Sequence, residues 1–144
     1  MKEFKLGQVC NIRNGFAFKS NEFKNEGIPI IRIGEIKNGI VDIRKAPLIN
    51  QTNKFDAYIV KKNDILIAMS GATTGKIGRY TLNQVAYQNQ RVGCFQPDSS
   101  KLDNDYLYQY LNSISTEITK KAYGGGQPNI STKEISKFLI ISVR

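Results

Sequence analysis

The chain has 144 residues, which is enough for one domain with a hydrophobic core, and its 21 Lys and Arg outweigh 12 Asp and Glu to give a formal net charge of +9. It contains no histidine, so His-based acid–base catalysis and His-activated serine or cysteine nucleophiles are excluded. The basic residues are spread from Lys2 to Arg144 rather than gathered in a tail. This distribution favours a basic face on a folded protein that binds a polyanion, with a solvated lysine surface as the alternative.

The cysteines and the N-terminus both indicate a cytoplasmic protein. Cys10 and Cys94 match no metal-binding spacing and stand among apolar neighbours, so we expect two buried free thiols. The N-terminus has no apolar core of the length that a signal peptide needs, and no apolar run approaches the length of a membrane span. We therefore expect a cytoplasmic chain with no membrane partner and no metal site.

The first half of the chain predicts short strands separated by turns. A glycine-marked opening segment, residues 6–20, is followed by a strand at residues 27–34, whose Pro29 stands at a position that strand starts tolerate. The Asn38-Gly39 pair is a strong signal for the tight turn of a hairpin. Residues 42–62 are polar, with scattered lysines, and we predict mainly loops there.

The second half predicts a buried central strand and then one long helix. Ile65–Met69 is solidly apolar. Shorter strands follow at residues 76–80, 85–88 and 92–96. From Asp103 to Ala122, apolar residues recur every three or four positions and predict a single amphipathic helix, which Asp103 or Asp105 caps.

The C-terminal residues predict a short second helix and a last strand. Gly124-Gly-Gly126 ends the long helix, Ser131-Thr-Lys-Glu134 is a capping box that opens a short one, and residues 138–143 are apolar enough for a buried strand. Strand and helix do not alternate regularly. The pattern therefore predicts an α+β fold, in which a mixed or antiparallel sheet of short strands accompanies one long C-terminal amphipathic helix and a short second helix.

The loop after the central strand combines glycines with a lysine. Gly71, Gly75 and Gly78 surround Lys76, and many folds present backbone N–H groups to phosphate from such a loop. A nucleotide P-loop needs four residues between its glycines and a Ser or Thr after the lysine, whereas three residues separate Gly71 from Gly75 and Ile77 follows Lys76. A contact to a DNA phosphate is one interpretation, and the residues support it no more than the first of its alternatives. A plain turn with a solvated lysine, or a small nucleotide-binding hydrolase, is the alternative.

Two further polar segments are candidate contacts. Gln88-Asn89-Gln90-Arg91 concentrates side chains that can read base edges, since Gln and Asn suit adenine and Arg suits guanine, or that can tie loop backbones together. Gly124-Gly-Gly-Gln-Pro-Asn129 precedes a capped helix, which makes it a potential anion site or an ordinary turn. The carboxylates form no nuclease-like cluster, and the sequence has no Asn/Asp-Pro-Pro-Tyr/Phe stretch of an amino-methyltransferase.

Six segments, in order, resemble the target-recognition domain of type I restriction–modification specificity subunits. They are Leu6-Gly7 through Asn14-Gly-Phe-Ala-Phe-Lys-Ser20, Gly27-Ile-Pro-Ile-Ile-Arg-Ile-Gly-Glu-Ile36 with Gly39, Asp64–Gly71 with Gly75 and Gly78, Ala86-Tyr-Gln-Asn-Gln-Arg-Val-Gly93, Tyr106–Leu111, and Gly124–Ile130 with the closing strand. Each segment is a weak signal by itself. Their order, with plausible loop lengths over nearly the whole chain, is specific.

The resemblance implies one non-catalytic domain over residues 1–144 that reads one half of a bipartite duplex DNA target. It also implies that partner subunits carry out the chemistry. Modification subunits hold S-adenosylmethionine and transfer the methyl group, while a restriction subunit uses ATP and Mg and cuts. This chain then needs no cofactor of its own, and the spacer helix on which the partners dock is expected beyond Arg144. A protein-interaction module whose basic face is incidental is the alternative outside the nucleic-acid class.

The resemblance further divides the polar residues into two groups. Residues inside the shared segments are expected mainly to contact the DNA backbone, because segments common to proteins of different specificity are poorly placed to distinguish bases. These backbone candidates are Lys19, Arg32, Lys76, Arg79, Arg91, Gly125 and Gln127. The base-reading candidates come chiefly from the intervening segments 19–25, 37–38 and 44–62, together with the polar segments above, and are Lys24, Asn25, Lys37, Asn38, Asn50, Gln51, Asn53, Lys54, Gln88, Asn89, Gln90 and Asn129.

Overall fold

The structure, a computed structural model, describes residues 2–37 and 39–142. Within them the strands are β1 Lys2–Lys5, β2 Cys10–Arg13, β3 Phe23–Lys24, β4 Ile28–Ile31, β5 Gly39–Ile40, β6 Leu48–Ile49, β7 Ile59–Val60, β8 Ile65–Ala68, β9 Ile77–Arg79, β10 Ala86–Gln88, β11 Val92–Pro97 and β12 Leu139–Ser142. The helices are α1 Asn104–Ser113, α2 Ser115–Ala122 and α3 Thr132–Ile135, and 3-10 turns cover Leu6–Gln8, Ser20–Glu22, Ile33–Glu35 and Asn53–Tyr58. The predicted α+β class with mixed sheets is confirmed.

A five-stranded sheet in the order β2-β11-β8-β9-β5 holds the centre of the fold. All four residues of β8 are fully buried. Ile65 and Ile67 belong to the core that includes the helices, whereas Leu66 and Ala68 belong to the core beneath the second sheet. Because both faces of the strand are covered, its sequence is a continuous apolar run, and the predicted central strand is confirmed.

The second sheet has the order β3-β6-β4-β10-β7 and contains a parallel pair, β4 with β10. Its strand β6 pairs with both β3 and β4, and β7 pairs with β10. Between β6 and β7 the 3-10 turn buries Phe55. The prediction of loops over residues 42–62 is therefore wrong in part, since strands of two residues are too short to leave an alternating pattern in the sequence.

The strands β1 and β12 form a separate antiparallel pair. Ile140 is buried, whereas Leu139 and Ile141 are 54% and 45% exposed. The predicted last strand is present, but the prediction that it is buried is wrong, because only one of its faces meets the core. Residue 143 of the predicted range lies outside the described residues.

The long helix predicted over residues 103–122 is interrupted at Ile114, where the backbone leaves the helical region with φ −104° and ψ 17°. Asp103 caps α1 as predicted, since its carboxylate accepts the N–H of Tyr106 at 3.0 Å. The apolar stripe continues through the break and buries Leu107, Leu111, Ile118 and Ala122. The amphipathic stripe is confirmed, and the single helix is corrected to two.

The thiols also lie where the sequence predicted them. Cys10 and Cys94 are free and buried, and burial raises the pKa of each to about 12. The hairpin prediction includes Asn38, which lies outside the described residues, although Ile36 and Val41 on either side of it form an antiparallel bridge. Over residues 2–37 and 39–142, no helix has the length and apolar character that crossing a bilayer requires.

Candidate nucleic-acid interface

Three of the segments singled out in the sequence meet at one surface depression. The backbone N–H of Met69, at the end of β8, donates to the carbonyl of Arg91 at 2.8 Å, and the N–H of Ile130 donates to the carbonyl of Met69 at 3.0 Å. These bonds draw together the loop after β8, the turn between β10 and β11, and the loop after α2. The depression has a volume of about 630 Å³ and is lined by Ser70, Gly71, Arg91, Gln127, Pro128 and Asn129. We call it the Arg91 depression.

The loop after β8 uses its backbone amides internally. The N–H of Thr74 donates to the carbonyl of Gly71, that of Gly75 to Ala68, and that of Lys76 to Thr73. Gly71 has φ +79°, a conformation that glycine adopts without steric cost. Three of the amides that the predicted phosphate contact of the Gly71–Lys76 loop could use, those of residues 74–76, are therefore already occupied. The exposed Lys76 side chain stays a predicted phosphate contact.

Gln88, a base-reading candidate, is completely buried. Its Oε1 accepts the Nε–H of Arg13 at 2.6 Å, and its Nε2 donates to the carbonyls of Arg13 at 2.8 Å and Val92 at 2.5 Å. Arg13 in turn donates from Nη2 to the carbonyl of Ile59 at 3.0 Å. Because this amide has no exposed edge, Gln88 is removed from the base-reading candidates and instead ties four strands together.

The turn that follows Gln88 presents its side chains to solvent. Asn89 is half-buried, and Gln90 and Arg91 are exposed. Arg91 has φ +68°, an uncommon conformation for a residue with a side chain, and it places that side chain at the Arg91 depression. The opening segment fixes this turn from one side, since Phe16 donates to the Gln88 carbonyl and accepts from the N–H of Gln90.

The glycine loop after α2 does not form an anion site with α3. The hydroxyl of Ser131 accepts the N–H of Glu134 at 3.1 Å, and the Glu134 carboxylate accepts the N–H of Ser131 at 3.0 Å, so the predicted capping box is confirmed. This carboxylate occupies the helix start and opposes a second anion there. Gly125 and Gln127 are exposed on the loop and stay predicted backbone contacts.

A second cleft gathers base-reading candidates from segments distant in sequence. It has a volume of about 310 Å³ and is lined by Asn21, Glu22, Lys24, Ile49, Asn50, Thr52, Lys54 and Phe55. We call it the Lys24 cleft. Its residue Phe55 packs with the rings of Phe18 and Tyr87, and the three ring centroids are 4.7–5.8 Å apart. Four other candidates from residues 19–54, namely Lys19, Asn25, Gln51 and Asn53, are exposed but line neither this cleft nor the Arg91 depression nor the cavity at the end of β4.

A third cavity, of about 660 Å³, lies at the end of β4. It is lined by Arg32, Gly34, Glu35, Lys37, Asp42, Arg44 and Lys45, and we call it the arginine cleft. Four of these side chains are cationic and two are carboxylates. The segment that lines this cleft contacts the loop of the Arg91 depression, because the hydroxyl of Thr73 donates to the carbonyl of Ile33 at 2.9 Å. The candidates Arg32 and Lys37 lie in this cleft, and Asn38 lies outside the described residues.

Arg79 lies apart from these three sites. It pairs with Asp105 of α1, and its guanidinium carbon stands 5.3 Å from the centre of the Tyr108 ring. Only 22% of its side chain is exposed. These contacts hold α1 against the sheet, so Arg79 is corrected from a predicted phosphate contact to a packing residue.

The sequence did not single out Arg13, Glu35 or Asp42, and it included Arg44 only as the first residue of the base-reading segment 44–62. The ion pairs of the arginine cleft could have been identified from two short spacings in the sequence, that of Asp42 with Arg44 and that of Arg32 with Glu35. Among residues 2–37 and 39–142, no group of acidic or cysteine side chains has an arrangement suited to a metal ion.

Comparison with known proteins provides an independent view of the chain. The sequence profile described as "Type I restriction modification DNA specificity domain" matches residues 1–142. The chain is 27% identical over 147 residues to the Type I restriction enzyme EcoAI specificity subunit of Escherichia coli, with 94% of this chain and 24% of that protein covered. It is 30% identical over 136 residues to the MjaVIII specificity subunit of Methanocaldococcus jannaschii, with 89% and 32% covered.

Solved structures show the same fold. The HsdS subunit from Thermoanaerobacter tengcongensis superposes with a TM-score of 0.71 at 18% identity, over 96% of this chain and 32% of that one. A chain from a study of the assembly and conformational transition of the type I R-M system gives a TM-score of 0.74 at 20% identity, over 96% and 33%. The chain thus spans about a quarter to a third of the length of these relatives. Since the family profile covers almost every residue, the chain belongs to the type I restriction modification DNA specificity domain family.

Proposed function

We propose that this chain binds duplex DNA sequence-specifically and acts as the target-recognition domain of a type I restriction–modification enzyme. The observation that carries the proposal is the convergence of the predicted contact residues. The backbone candidates that line the Arg91 depression, the arginine cleft and the Lys24 cleft are Arg32, Arg91 and Gln127, and the base-reading candidates that line them are Lys24, Lys37, Asn50, Lys54 and Asn129.

Short stretches of the chain connect the three sites. Thr73 bonds the arginine cleft to the loop of the Arg91 depression. The segment of residues 44–50 lines the arginine cleft at its first residues and the Lys24 cleft at its last. A duplex laid across them would meet Arg91 and Gln127 with its phosphates, and Lys24, Asn50 and Lys54 with its base edges.

The charge of the chain suits this partner. A formal net charge of +9 on 144 residues favours electrostatic capture of a polyanion. Neutralising about five phosphates would give a slope near −4.5 when the logarithm of the binding constant is plotted against the logarithm of the salt concentration. We expect this slope in a fluorescence anisotropy titration of labelled duplex DNA with the full-length protein. Affinity that stays constant between low and physiological salt would contradict the proposal and favour a protein-interaction module.

We assign the chemistry to partner subunits. In this proposal the chain reads one half of a bipartite target, while modification subunits supply S-adenosylmethionine and methyl transfer and a restriction subunit supplies ATP, Mg and cleavage. The purified chain should transfer no radiolabelled methyl group to DNA and should not cut it. It should also show no heat of binding with ATP, because the loop lacks the spacing of a P-loop and three of its amides, those of residues 74–76, are already bonded. Measurable ATP binding would favour the nucleotide-hydrolase alternative.

A further inference from the structure

One backbone unit presents both arginines of the arginine cleft. Ile36 and Val41 form an antiparallel bridge, and the next N–H, that of Asp42, donates to the carbonyl of Glu35 at 2.8 Å. The two carboxylate residues are therefore fixed side by side. Arg32 precedes the first by three residues and Arg44 follows the second by two, so the guanidinium groups form two walls of the same cavity.

The side chain of Arg44 is held in one orientation by Asp42. Its Nε–H donates to Oδ1 at 3.0 Å and its Nη2–H donates to Oδ2 at 2.7 Å, while the backbone N–H of Arg44 also donates to Oδ1 at 3.1 Å. These hydrogen bonds hold the pKa of Asp42 well below its usual range, so its carboxylate is ionised at any pH suited to DNA binding. The side chain of Arg44 is nevertheless 87% exposed.

A guanidinium has five N–H donors, and Asp42 engages two of them. Of the other three, one on Nη1 and one on Nη2 lie side by side on the end edge of the guanidinium, which the carboxylate leaves free. This edge matches the O6 and N7 acceptors of guanine in the major groove, which is the commonest specific pairing of arginine with DNA. Orientation by Asp42 reduces the conformational entropy that such a contact loses on binding.

The negative charge of Asp42 also favours a base over a phosphate as the DNA group that Arg44 contacts. A negative charge beside the guanidinium weakens its attraction for a phosphate, whereas a neutral guanine edge is not repelled. Lys37 and Lys45 line the same cleft and can meet phosphates without any orienting partner. Arg32 is less available than Arg44, because it is 42% exposed and its Nη2 donates both to Glu35 and, at 3.5 Å, to the carbonyl of Lys45.

We propose that Arg44 is a specificity-determining residue that reads a guanine in the major groove, and that Asp42 is the residue that positions it. The inference rests on the proposed DNA-binding function. Gly34 leaves the approach to the cleft open, since it is exposed and a Cβ built on it would meet no atom within 4 Å.

The test is a selection of bound duplexes from a random pool with the full-length protein, comparing wild type with Arg44→Lys, Asp42→Asn and Lys45→Ala. The wild type should select a site with a guanine whose replacement weakens binding. Arg44→Lys keeps the charge but loses the two-pronged donor, so the preference for that guanine should fall by roughly 5- to 150-fold, the range of one good bidentate contact. Asp42→Asn should weaken the same preference less.

The control Lys45→Ala removes a charge from the same cleft without removing an oriented donor, and it should weaken all sequences alike. A selected site whose every preference survives Arg44→Lys would overturn this inference and leave the proposed function standing. A wild-type protein that selects no sequence at all would overturn both. Thermal unfolding of each variant at the wild-type temperature separates a changed preference from a damaged fold.

Discussion

The buried amide of Gln88 should be a major source of stability, and Gln88→Met tests this directly. Methionine is close to glutamine in length and volume, so it fills the site without opening a large cavity. It cannot make the three hydrogen bonds of the amide. The substitution therefore leaves the Nε–H of Arg13 and the carbonyls of Arg13 and Val92 without their partner.

The expected loss follows from the kinds of hydrogen bond involved. A neutral bond contributes about 1 kcal/mol and a bond from a charged group about 1.5–3 kcal/mol, and a buried group left unpaired adds its desolvation cost. Because Arg13 is half-buried and water reaches part of it, we take the lower end of the range. The free energy of unfolding should fall by about 3 kcal/mol, a large part of the 5–15 kcal/mol of a typical domain.

Gln90 provides a matched control from the same segment. It lies two residues further along, is exposed, and should tolerate Gln90→Met within about 0.5 kcal/mol. Both free energies of unfolding can be measured by urea denaturation followed by circular dichroism. A loss below about 1 kcal/mol for Gln88→Met, or equal losses for the two variants, would refute the assignment of Gln88 as the residue that ties the strands together.

Three further outcomes are expected. Gly15→Ala should lower the free energy of unfolding, measured by urea denaturation, by about 2 kcal/mol or more, because the new Cβ would stand 1.8 Å from the backbone oxygen of Asn89. The control Gly125→Ala has open space around it and should change the free energy of unfolding by less than about 0.5 kcal/mol. Arg91→Ala should weaken binding to all duplexes alike and make the slope of the salt dependence less steep by about 0.9. If the variant instead changed which bases are selected, Arg91 would be a base-contacting residue and not a phosphate contact. Burial raises the pKa of Cys10 and Cys94 from 9.0 to about 12, so the stability that the buried thiols contribute should be lost as pH rises from 9 towards 12. Both thiols should also resist alkylation at pH 8 until urea unfolds the chain.

The sequence predicted best those features that are set by periodicity over many residues. The strand at 65–69 and the apolar stripe of residues 103–122 were both identified, since a buried run and a three-to-four spacing are strong signals. The break at Ile114 was missed because the stripe continues through it: Ile118 and Ala122 are buried on the same side as Leu107. A local change of φ and ψ that preserves the buried face leaves no trace in the hydrophobic pattern.

The sequence predicted the residues of the candidate site less well than it predicted the main elements of the fold. Gln88 is among the base-reading candidates, but the structure supports the alternative that its segment ties backbones together, and the burial of Gln88 was missed because its partner Arg13 stands 75 positions away. The ion pair of Asp42 with Arg44 was missed for the opposite reason. Asp42 and Arg44 are near neighbours in the sequence, but the sequence does not show that the bridge between Ile36 and Val41 places them at a cavity.

The glycines of the recognisable segments explain why these segments identify the family so well and the DNA target so poorly. A Cβ on Gly15 would collide with the backbone of Asn89, and one on Gly78 would stand 2.7 Å from the backbone oxygen of Ile40. Such glycines are fixed by the contact of one backbone with another, and that requirement is the same whatever base is read. The exposed side chains of the Lys24 and arginine clefts carry no such requirement. They can change without cost to the fold, and the specificity of the domain should therefore be sought in these clefts.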